Sequence, residues 1–408
     1  MQRPSKIQIQ DYNYQLPSNK IAQYPLHKRD ESKLLIYNNN ISEDVFAHLD
    51  HYLPQGSMLV FNDTKVVQAR LIFAKPTGAR IEIFCLEPVE PTREIQDAFQ
   101  KKSGVVWKCL IGNRKKWKQG VLEMKFQADI PNAFLFAERI SDEREYSLIR
   151  FTWNPQNHDF ATVLEETGKI PLPPYMNRED EADDKIRYQT IYALNEGSVA
   201  APTAGLHFTK EVFNKLDKKN ISRHHLTLHV GAGTFKPVSD AEVGNHIMHT
   251  EQILIRQELI EQIMKRGTKK LIAVGTTSIR TLESLYWIGV KMIQYPGLGY
   301  YKLSQWEVYD LDDEIRELPK VTEALKAVLN YLKDNNLKEL RSETQIIIGP
   351  GYDYQIIDAM ITNFHQPKST LLLLISAYLG DKWKDIYQYA LSHDFRFLSY
   401  GDSCLFIK

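Results

Sequence analysis

Histidines are concentrated in one short part of this 408-residue sequence. Five of its 12 histidines lie in RHHLTLHVGAGTFKPV and the following GNHIMHTE, namely His224, His225, His229, His246 and His249. Histidine titrates near neutral pH and is the commonest metal ligand in proteins. The cluster therefore predicts proton-transfer chemistry or a metal site.

Three interpretations of this cluster are open. On a strand, His225 would share a face with His229, and His249 would complete the three ligands of an open zinc site. The sequence has no His-Glu-x-x-His motif and no cysteine pair, so proton transfer by His229 and His249 is favoured over zinc. The third interpretation is a set of hydrogen-bonded structural histidines.

Three further segments place polar side chains where a loop is expected. Asp63 follows the apolar run MLVF, His207 lies in the small-residue loop APTAGLHFT, and Asp402 ends RFLSYGD near the C-terminus. Small residues let a backbone approach a ligand closely. The alternatives are an Asx turn at Asp63 and an ordinary hydrogen-bonded histidine at position 207.

The segment AVGTTSIRTLES has the pattern of a strand, a turn and a helix start. Gly275, Thr276 and Thr277 would form the turn and the first helical residues, with Arg280 one turn later. Backbone amides at such a helix N-terminus bind carboxylate or phosphate, although a simple hydroxyl cap has the same pattern. The segment predicts an anion site.

Two nucleotide-binding motifs are incomplete in this chain. Lys368-Ser369-Thr370 resembles the end of a phosphate loop, but the glycines required upstream are absent. GAGTFK lacks the third glycine of the dinucleotide fingerprint. We therefore expect neither an NTPase nor a dinucleotide-dependent enzyme.

The elements that must position these residues fall into two classes. Between Gln68 and Trp153, alternating strand patterns predict a small antiparallel sheet or barrel, in the runs QARLIFA, ARIEIFCLE, VVWKCLIG, VLEMKF, AFLFAERI and YSLIRFTW. Hairpin tips are expected at residues 76–78 and 112–120. Elsewhere, the predicted helices are LEETGKI, TKEVFNKLDKK, RQELIEQIMKRG and one within residues 314–340, and the predicted buried strands are KLIAVG and TQIIIG.

These patterns predict an α/β main domain built from both chain ends, with an inserted antiparallel β-barrel domain. The main domain would comprise residues 1–67 and 154–408, and the barrel residues 68–153. A length of 408 residues is sufficient for two or three domains with cores of their own.

Composition excludes several classes of protein. The three cysteines are far apart, which favours a reducing compartment over a disulfide scaffold. The longest apolar run, Leu371 to Ile375, is too short to span a membrane, so we expect a cytoplasmic protein. Equal numbers of basic and acidic residues, 51 of each, argue against a general affinity for nucleic acid.

One segment is nevertheless strongly basic. Within the predicted barrel, Trp107 and Trp117 are interleaved with seven basic residues: Lys101, Lys102, Lys108, Arg114, Lys115, Lys116 and Lys118. Lysines neutralise phosphates and tryptophans stack on bases, so the segment predicts RNA binding. The alternative is a solvated hairpin tip.

Read in order, these segments resemble the S-adenosylmethionine:tRNA ribosyltransferase-isomerase family of queuosine biosynthesis. The resemblance rests on collinear blocks along nearly the whole chain: IAQYPLHKRDESKLL, FNDTKVVQAR, IPLPPYMNRED, RYQTIYA, APTAGLHFT, LHVGAGTFKPV, HIMHTE, AVGTTSIRTLES, GPGY, ITNFHQPKSTL and RFLSYGD. Lys65 and Gln68 depart from the family pattern. Residues 306–340 enlarge a shorter connection of the family and could serve as a lid, a tRNA contact or a dimer surface.

The resemblance implies a reaction and a set of partners. The family transfers and isomerises the ribosyl part of S-adenosylmethionine onto 7-aminomethyl-7-deazaguanine at the tRNA wobble position, which gives epoxyqueuosine, adenine and methionine. Such chemistry needs a base, an acid and an anchor for the methionine carboxylate, but no metal. We expect a monomer that binds tRNA and uses S-adenosylmethionine as a co-substrate.

The resemblance also suggests roles for particular residues. The catalytic candidates are His229 and His249 as base and acid, and Asp63 and Asp402 as their orienting groups or as ligands of the ribose hydroxyls. The S-adenosylmethionine candidates are Gly275, Thr276, Thr277, Arg280 and His207. The tRNA candidates are Lys101, Lys102, Lys115, Lys116 and Lys368.

Three other functions are compatible with the same residues. They are an S-adenosylmethionine-dependent RNA methyltransferase, a zinc-dependent hydrolase and a non-catalytic tRNA-binding protein.

Overall fold

The computed structural model describes residues 1–126, 132–144, 146–231, 238 and 240–408. The strands are β1 Lys33–Asn38, β2 Asn40–Val45, β3 Met58–Asn62, β4 Thr64–Val66, β5 Arg70–Ala74, β6 Arg80–Glu90, β7 Val105–Gly112, β8 Leu122–Lys125, β9 Phe134–Asp142, β10 Ser147–Asn154, β11 Gly168–Lys169, β12 Asn195–Ser198, β13 Ser222–Leu228, β14 Glu251–Arg256, β15 Leu271–Val274, β16 Glu339–Thr344, β17 Ala359–Asn363 and β18 Ser403–Ile407.

The α-helices lie mostly in the second half of the chain. They are α1 Leu49–Tyr52, α2 Ile95–Phe99, α3 Phe160–Thr167, α4 Asp184–Arg187, α5 Lys210–Lys218, α6 Gln257–Met264, α7 Thr276–Gln294, α8 Glu307–Glu314, α9 Val321–Asp334, α10 Thr370–Leu379 and α11 Lys382–Ser392. In the described part of the chain, no helix is both long and apolar enough to cross a membrane.

A nine-stranded sheet combines both ends of the chain, in the order β16-β14-β13-β3-β15-β17-β18-β1-β2. Its central strands β13, β3, β15 and β17 are parallel. Strands β3, β15 and β17 are fully buried, which explains their nearly continuous apolar runs. Phe61 of β3 pairs in register with Val274 of β15 and with His225 of β13, so the carboxyl ends of these strands meet at one edge.

A seven-stranded antiparallel sheet, in the order β11-β5-β6-β7-β10-β9-β8, is separate from the nine-stranded sheet. Alternate residues of these strands face a separate apolar core, on which Phe160 of α3 packs. In the described residues the edge strands β11 and β8 are not paired with each other, so the sheet is a curled half-barrel and not a closed barrel. The sheet also extends past residue 153, because β11 pairs with β5.

Several sequence predictions of elements are confirmed. Helices α5 and α6 and strand β15 lie where the apolar periodicity placed them, and all six predicted strands of the antiparallel sheet are present. The predicted helix within residues 314–340 is α9, which buries Ala324 and Leu325 against α7. Segment 306–340 contributes no residue to the main cavity described below.

Two predictions of elements were wrong, and a third was confirmed only in part. The helix predicted at LEETGKI ends at Thr167, and Gly168 and Lys169 form β11, which pairs with β5. The strand predicted at TQIIIG ends at Thr344, and Ile346 to Ile348 form a buried connection. The hairpin tip predicted at residues 112–120 is wrong, since β7 pairs with β6 and β10 whereas β8 pairs with β9.

Candidate functional site

An open cavity lies where the central parallel strands end. It encloses about 1240 Å³, mouth included. Ligands of open α/β sheets bind outside the carboxyl ends of the strands, where the strand order reverses, and here β3 has later strands on both sides. The polar lining of the cavity includes Thr276, Thr277, Arg280, His249, Asn363 and His365.

The N-termini of two helices face this cavity. Gly275 links β15 to α7 with φ 86°, a conformation that glycine adopts without strain. Thr276 and Thr277 form the first turn of α7, and the Thr277 hydroxyl is buried without a hydrogen-bond partner in the described residues. Ser369 caps α10 by accepting from the Leu372 amide. Both helix dipoles therefore favour an anion in the cavity.

A buried carboxylate, Glu251, joins two predicted site residues. Its Oε2 accepts a hydrogen bond from Nη1 of Arg280, and its Oε1 lies 3.1 Å from Nε2 of His249. Burial opposes ionisation, but Arg280 and His249 together hold the pKa of Glu251 below its usual value. Nη2 of Arg280 is buried and has no partner in the described residues, so this guanidinium retains a donor for a ligand.

His229 lies just beyond β13, next to the cavity wall. Its Nδ1 is 3.0 Å from the Thr64 hydroxyl, and its Nε2 has no partner in the described part of the chain. Burial lowers the pKa of His229 to about 4, so the imidazole is neutral at pH 7. Val230 lines the cavity, whereas His229 is not among the lining residues. Most of the adjoining GAGTFKPVS segment, residues 232–237 and 239, lies outside the described residues.

The three-histidine zinc interpretation was wrong for the described side chains. His225 packs against Phe61 and Tyr192, away from the cavity. Among the described residues, ligand atoms converge closely enough for a metal only at Asp44, His48 and His51. The sequence did not indicate that group.

Asp63 and Asp402 lie outside the cavity lining. Asp63 accepts hydrogen bonds from the Thr227 hydroxyl (2.6 Å) and the Asn195 amide (3.0 Å) and lines a separate small polar cavity. Asp402 accepts from the backbone amides of Lys33 (2.9 Å) and Arg396 (2.7 Å). These contacts give both carboxylates structural partners.

His207 also lies behind the cavity wall. Asn363 donates to its Nε2 (3.0 Å), and its Nδ1 lies 2.8 Å from the Ser32 hydroxyl. Burial, with Arg396 and Arg29 nearby, lowers the pKa of His207 to about 3. Lys368 precedes α10 with φ 56° and is not among the lining residues of the cavity.

The basic segment of the antiparallel sheet is divided in two. Lys101 and Lys102 precede β7, whereas Lys115 and Lys116 follow it, so eight strand residues separate the pairs, or about 25 Å. Lys102, Lys115 and Lys116 are exposed. The expected role of Trp107 and Trp117 in stacking on bases was wrong, because both indoles are buried in the core of this sheet.

A family model described as "Queuosine biosynthesis protein" matches residues 9–406 of the chain. The chain belongs to this family. An S-adenosylmethionine:tRNA ribosyltransferase-isomerase from Trichlorobacter lovleyi is 34% identical over 98% of this chain and 99% of the relative. One of the same name from Sulfurihydrogenibium sp. is 36% identical over 98% of this chain and 100% of the relative.

A solved structure gives a weaker match to this queuosine biosynthesis protein. A crystal structure of S-adenosylmethionine tRNA ribosyltransferase from Thermotoga maritima is 25% identical, covers 97% of this chain and 100% of its own, and has a TM-score of 0.45.

The blocks that resembled the queuosine family meet at the cavity. APTAGLHFT, HIMHTE, AVGTTSIRTLES and ITNFHQPKSTL each contribute lining residues. Sequence reasoning missed Glu251, Asn363, His365, Tyr175 and Tyr188 as site residues. The available signal was their position inside these blocks and inside IPLPPYMNRED and RYQTIYA, where they had no distinguishing pattern of their own.

Proposed function

We propose that this chain transfers and isomerises the ribosyl part of S-adenosylmethionine onto 7-aminomethyl-7-deazaguanine at the wobble position of tRNA. The products are epoxyqueuosine in tRNA, adenine and methionine. The observation that carries this proposal is the meeting of four family blocks in one cavity with an anion anchor and histidines. Its relatives' shared name supports the same reaction.

Arg280 is the anchor for the methionine carboxylate. Its unpartnered Nη2 is buried at the cavity, and Thr276, Thr277 and the N-terminus of α7 surround the same space. A carboxylate bound there gains charge-assisted hydrogen bonds and the favourable end of the helix dipole. Glu251 holds the guanidinium in place.

His249 is the better placed of the two candidate proton-transfer groups. It lines the cavity, and Glu251 lies 3.1 Å from its Nε2, which orients the ring as the third group of a catalytic triad does. His229, neutral at pH 7, is the second proton-transfer group. A base removes the proton next to the sulfonium, adenine leaves with its bonding electrons as the ribose opens, the nucleobase amine attacks, and rearrangement expels methionine.

We propose that Asp63, Asp402 and His207 support this site from behind and that Lys101, Lys102, Lys115, Lys116 and Lys368 contact tRNA. The two-domain division, residues 1–67 and 154–408 against 68–153, is part of the same proposal. The sheet arrangement supports it, with α3 and β11 added to the antiparallel unit. The reaction as proposed uses no metal, takes place in the cytoplasm and is carried out by a monomer.

Product analysis tests the proposed function. The chain is incubated with S-adenosylmethionine and tRNA carrying the aminomethyl-deazaguanine base, and the small molecules are separated. Adenine and methionine support the proposal. S-adenosylhomocysteine would identify a methyltransferase, and intact S-adenosylmethionine with bound tRNA would identify a non-catalytic binding protein.

A further inference from the structure

A small notch beside the main cavity is lined by three arginines, Arg29, Arg187 and Arg396, and measures about 290 Å³ with its open mouth included. We call it the arginine notch. Ser399 belongs to the walls of both the notch and the main cavity. Asn363, a lining residue of the main cavity, donates to His207 of the notch at 3.0 Å. The two spaces are therefore immediate neighbours.

The positive charge of the arginine notch is poorly balanced. Among the described residues, only Arg396 has a carboxylate within ion-pair distance, Asp402 at 3.4 Å. Asp402 already accepts two backbone amides. Burial, followed by repulsion from Arg187, lowers the pKa of Arg29, and Tyr400, Asp183 and Tyr192 offset this shift only in part. Within the described residues, the positive charge of the notch is therefore only partly neutralised.

Backbone carbonyls hold two of the guanidinium groups in place. Arg29 donates to the carbonyls of Gln189 (2.6 Å) and Ile186 (2.8 Å), and Arg187 donates to that of His27 (3.2 Å). Carbonyl groups carry no net charge, so they fix the position of each guanidinium without neutralising its positive charge. Nε of Arg187 is buried and has no partner in the described residues. Donors and charge are thus positioned in advance for an oxyanion.

We propose that the arginine notch binds a backbone phosphate of the tRNA, next to the nucleotide whose base enters the main cavity. This inference rests on the proposed function. An enzyme that acts on a base takes it into a pocket, and the adjoining phosphates then lie at the pocket rim. Free phosphate and the carboxylate of S-adenosylmethionine are oxyanions too and could bind the same donors. For that carboxylate, however, Arg280 is the proposed anchor.

Binding of tRNA as a function of salt tests the proposal. The variants are Arg396→Gln, whose side chain has a single ion-pair partner, and Arg187→Gln. The matched control is Arg266→Gln, which removes a positive charge that is also paired with one aspartate, Asp358. Asp358 directly precedes β17, so this ion pair lies at the amino ends of the parallel strands, opposite the cavity. Fluorescence anisotropy of the full chain with tRNA carrying the aminomethyl-deazaguanine base gives the affinity at each salt concentration.

We expect both notch variants to bind tRNA more weakly and to reduce the slope of log affinity against log salt by about 1, the loss of one phosphate contact. The KM for S-adenosylmethionine should not change. Inorganic phosphate, added at constant ionic strength, should compete with tRNA in the wild type and lose this effect in both variants. Thermal unfolding confirms that the variants fold, and Arg396→Gln alone provides the test if Arg187→Gln does not fold.

Two results would overturn the proposal. One is a salt slope equal to that of Arg266→Gln and the wild type, whatever inorganic phosphate does. The other is a raised KM for S-adenosylmethionine with unchanged tRNA binding, which would place the carboxylate of S-adenosylmethionine in the notch. Failure of the proposed function looks different, because the wild type would then release no adenine even where the notch variants lose tRNA affinity.

Discussion

Arg280 of α7 donates a hydrogen bond to the buried carboxylate of Glu251, 29 residues earlier in the chain. Arg280 lines the cavity, as does His249, whose Nε2 lies 3.1 Å from the other carboxylate oxygen of Glu251. Ion pairs removed from water are costly to break, since one charge then stays buried alone. Glu251 consequently links the stability of the fold to the geometry of the candidate anchor and base.

Glu251→Gln should destabilise the protein by about 3–5 kcal/mol, because it leaves Arg280 as an unpaired buried charge. Urea unfolding measures the change in the free energy of unfolding. Glu339→Gln is the matched control, since Glu339 forms a half-exposed ion pair with Arg341 at 2.8 Å and should cost less than about 1 kcal/mol. Equal effects of the two substitutions would contradict the role given to Glu251.

Arg280→Gln should raise the KM for S-adenosylmethionine by about ten- to a hundredfold, the usual range for a lost hydrogen bond to a charged group. Arg280→Lys should recover only part of this loss, because lysine keeps the charge without the planar fork. Steady-state kinetics with saturating tRNA measures both variants. An unchanged KM in Arg280→Gln would remove Arg280 as the carboxylate anchor.

His249→Asn and His229→Ala should each lower kcat by about a hundredfold or more, the usual scale of general acid-base catalysis. His225→Asn is the control from the same histidine cluster, since its ring packs on Phe61 outside the cavity. Single-turnover rates of adenine release measure the chemical step. Full activity in either variant would exclude that histidine as a proton-transfer group.

The free energy of unfolding should fall as the pH is lowered from about 6.5 to 4. Burial lowers the pKa of His207 and His365 to about 3 and of His229 to about 4. In this window the unfolded chain binds protons that the folded chain does not, at about 1.4 kcal/mol per pH unit for each histidine. Their stabilising contribution is therefore complete above about pH 6.5 and is lost progressively as the pH falls towards their folded-state pKa values of about 3 to 4.

His365→Asn should make this pH dependence shallower, and the exposed His393→Asn should leave it unchanged. Urea unfolding at several pH values gives both slopes. A slope in His365→Asn identical to that of the wild type would contradict the buried, neutral state of His365.

Charge reversal at Lys115 and Lys116 tests the exposed basic end of the antiparallel sheet. We expect weaker tRNA binding and a smaller salt slope, because each lysine that contacts a phosphate releases a counterion. The control is charge reversal at Lys382 and Lys384, two exposed lysines of α11. Unchanged tRNA binding would show that residues 113–118 are only a solvated connection.

Local patterns in the sequence predicted strands β5 to β10, several helices and strands of the main sheet, and the strand-to-helix turn at which α7 begins. Thr276 and Arg280 could be found because a strand, a glycine and a helix start follow one another within a few residues. The contact of Glu251 with Arg280 was missed, because 29 residues separate the two and only the fold brings them together. The burial of Trp107 and Trp117 was missed because the basic residues around them in the sequence suggested an exposed segment, whereas both indoles point into the core.

Adenine release from S-adenosylmethionine is the most direct test of the proposed reaction. The full chain is given S-adenosylmethionine with tRNA carrying 7-aminomethyl-7-deazaguanine, and the same tRNA with an unmodified guanine is the control. We predict one adenine and one methionine for each modified base converted, and none with the control tRNA. Consumption of the modified base without adenine, or no adenine at all, would contradict the account.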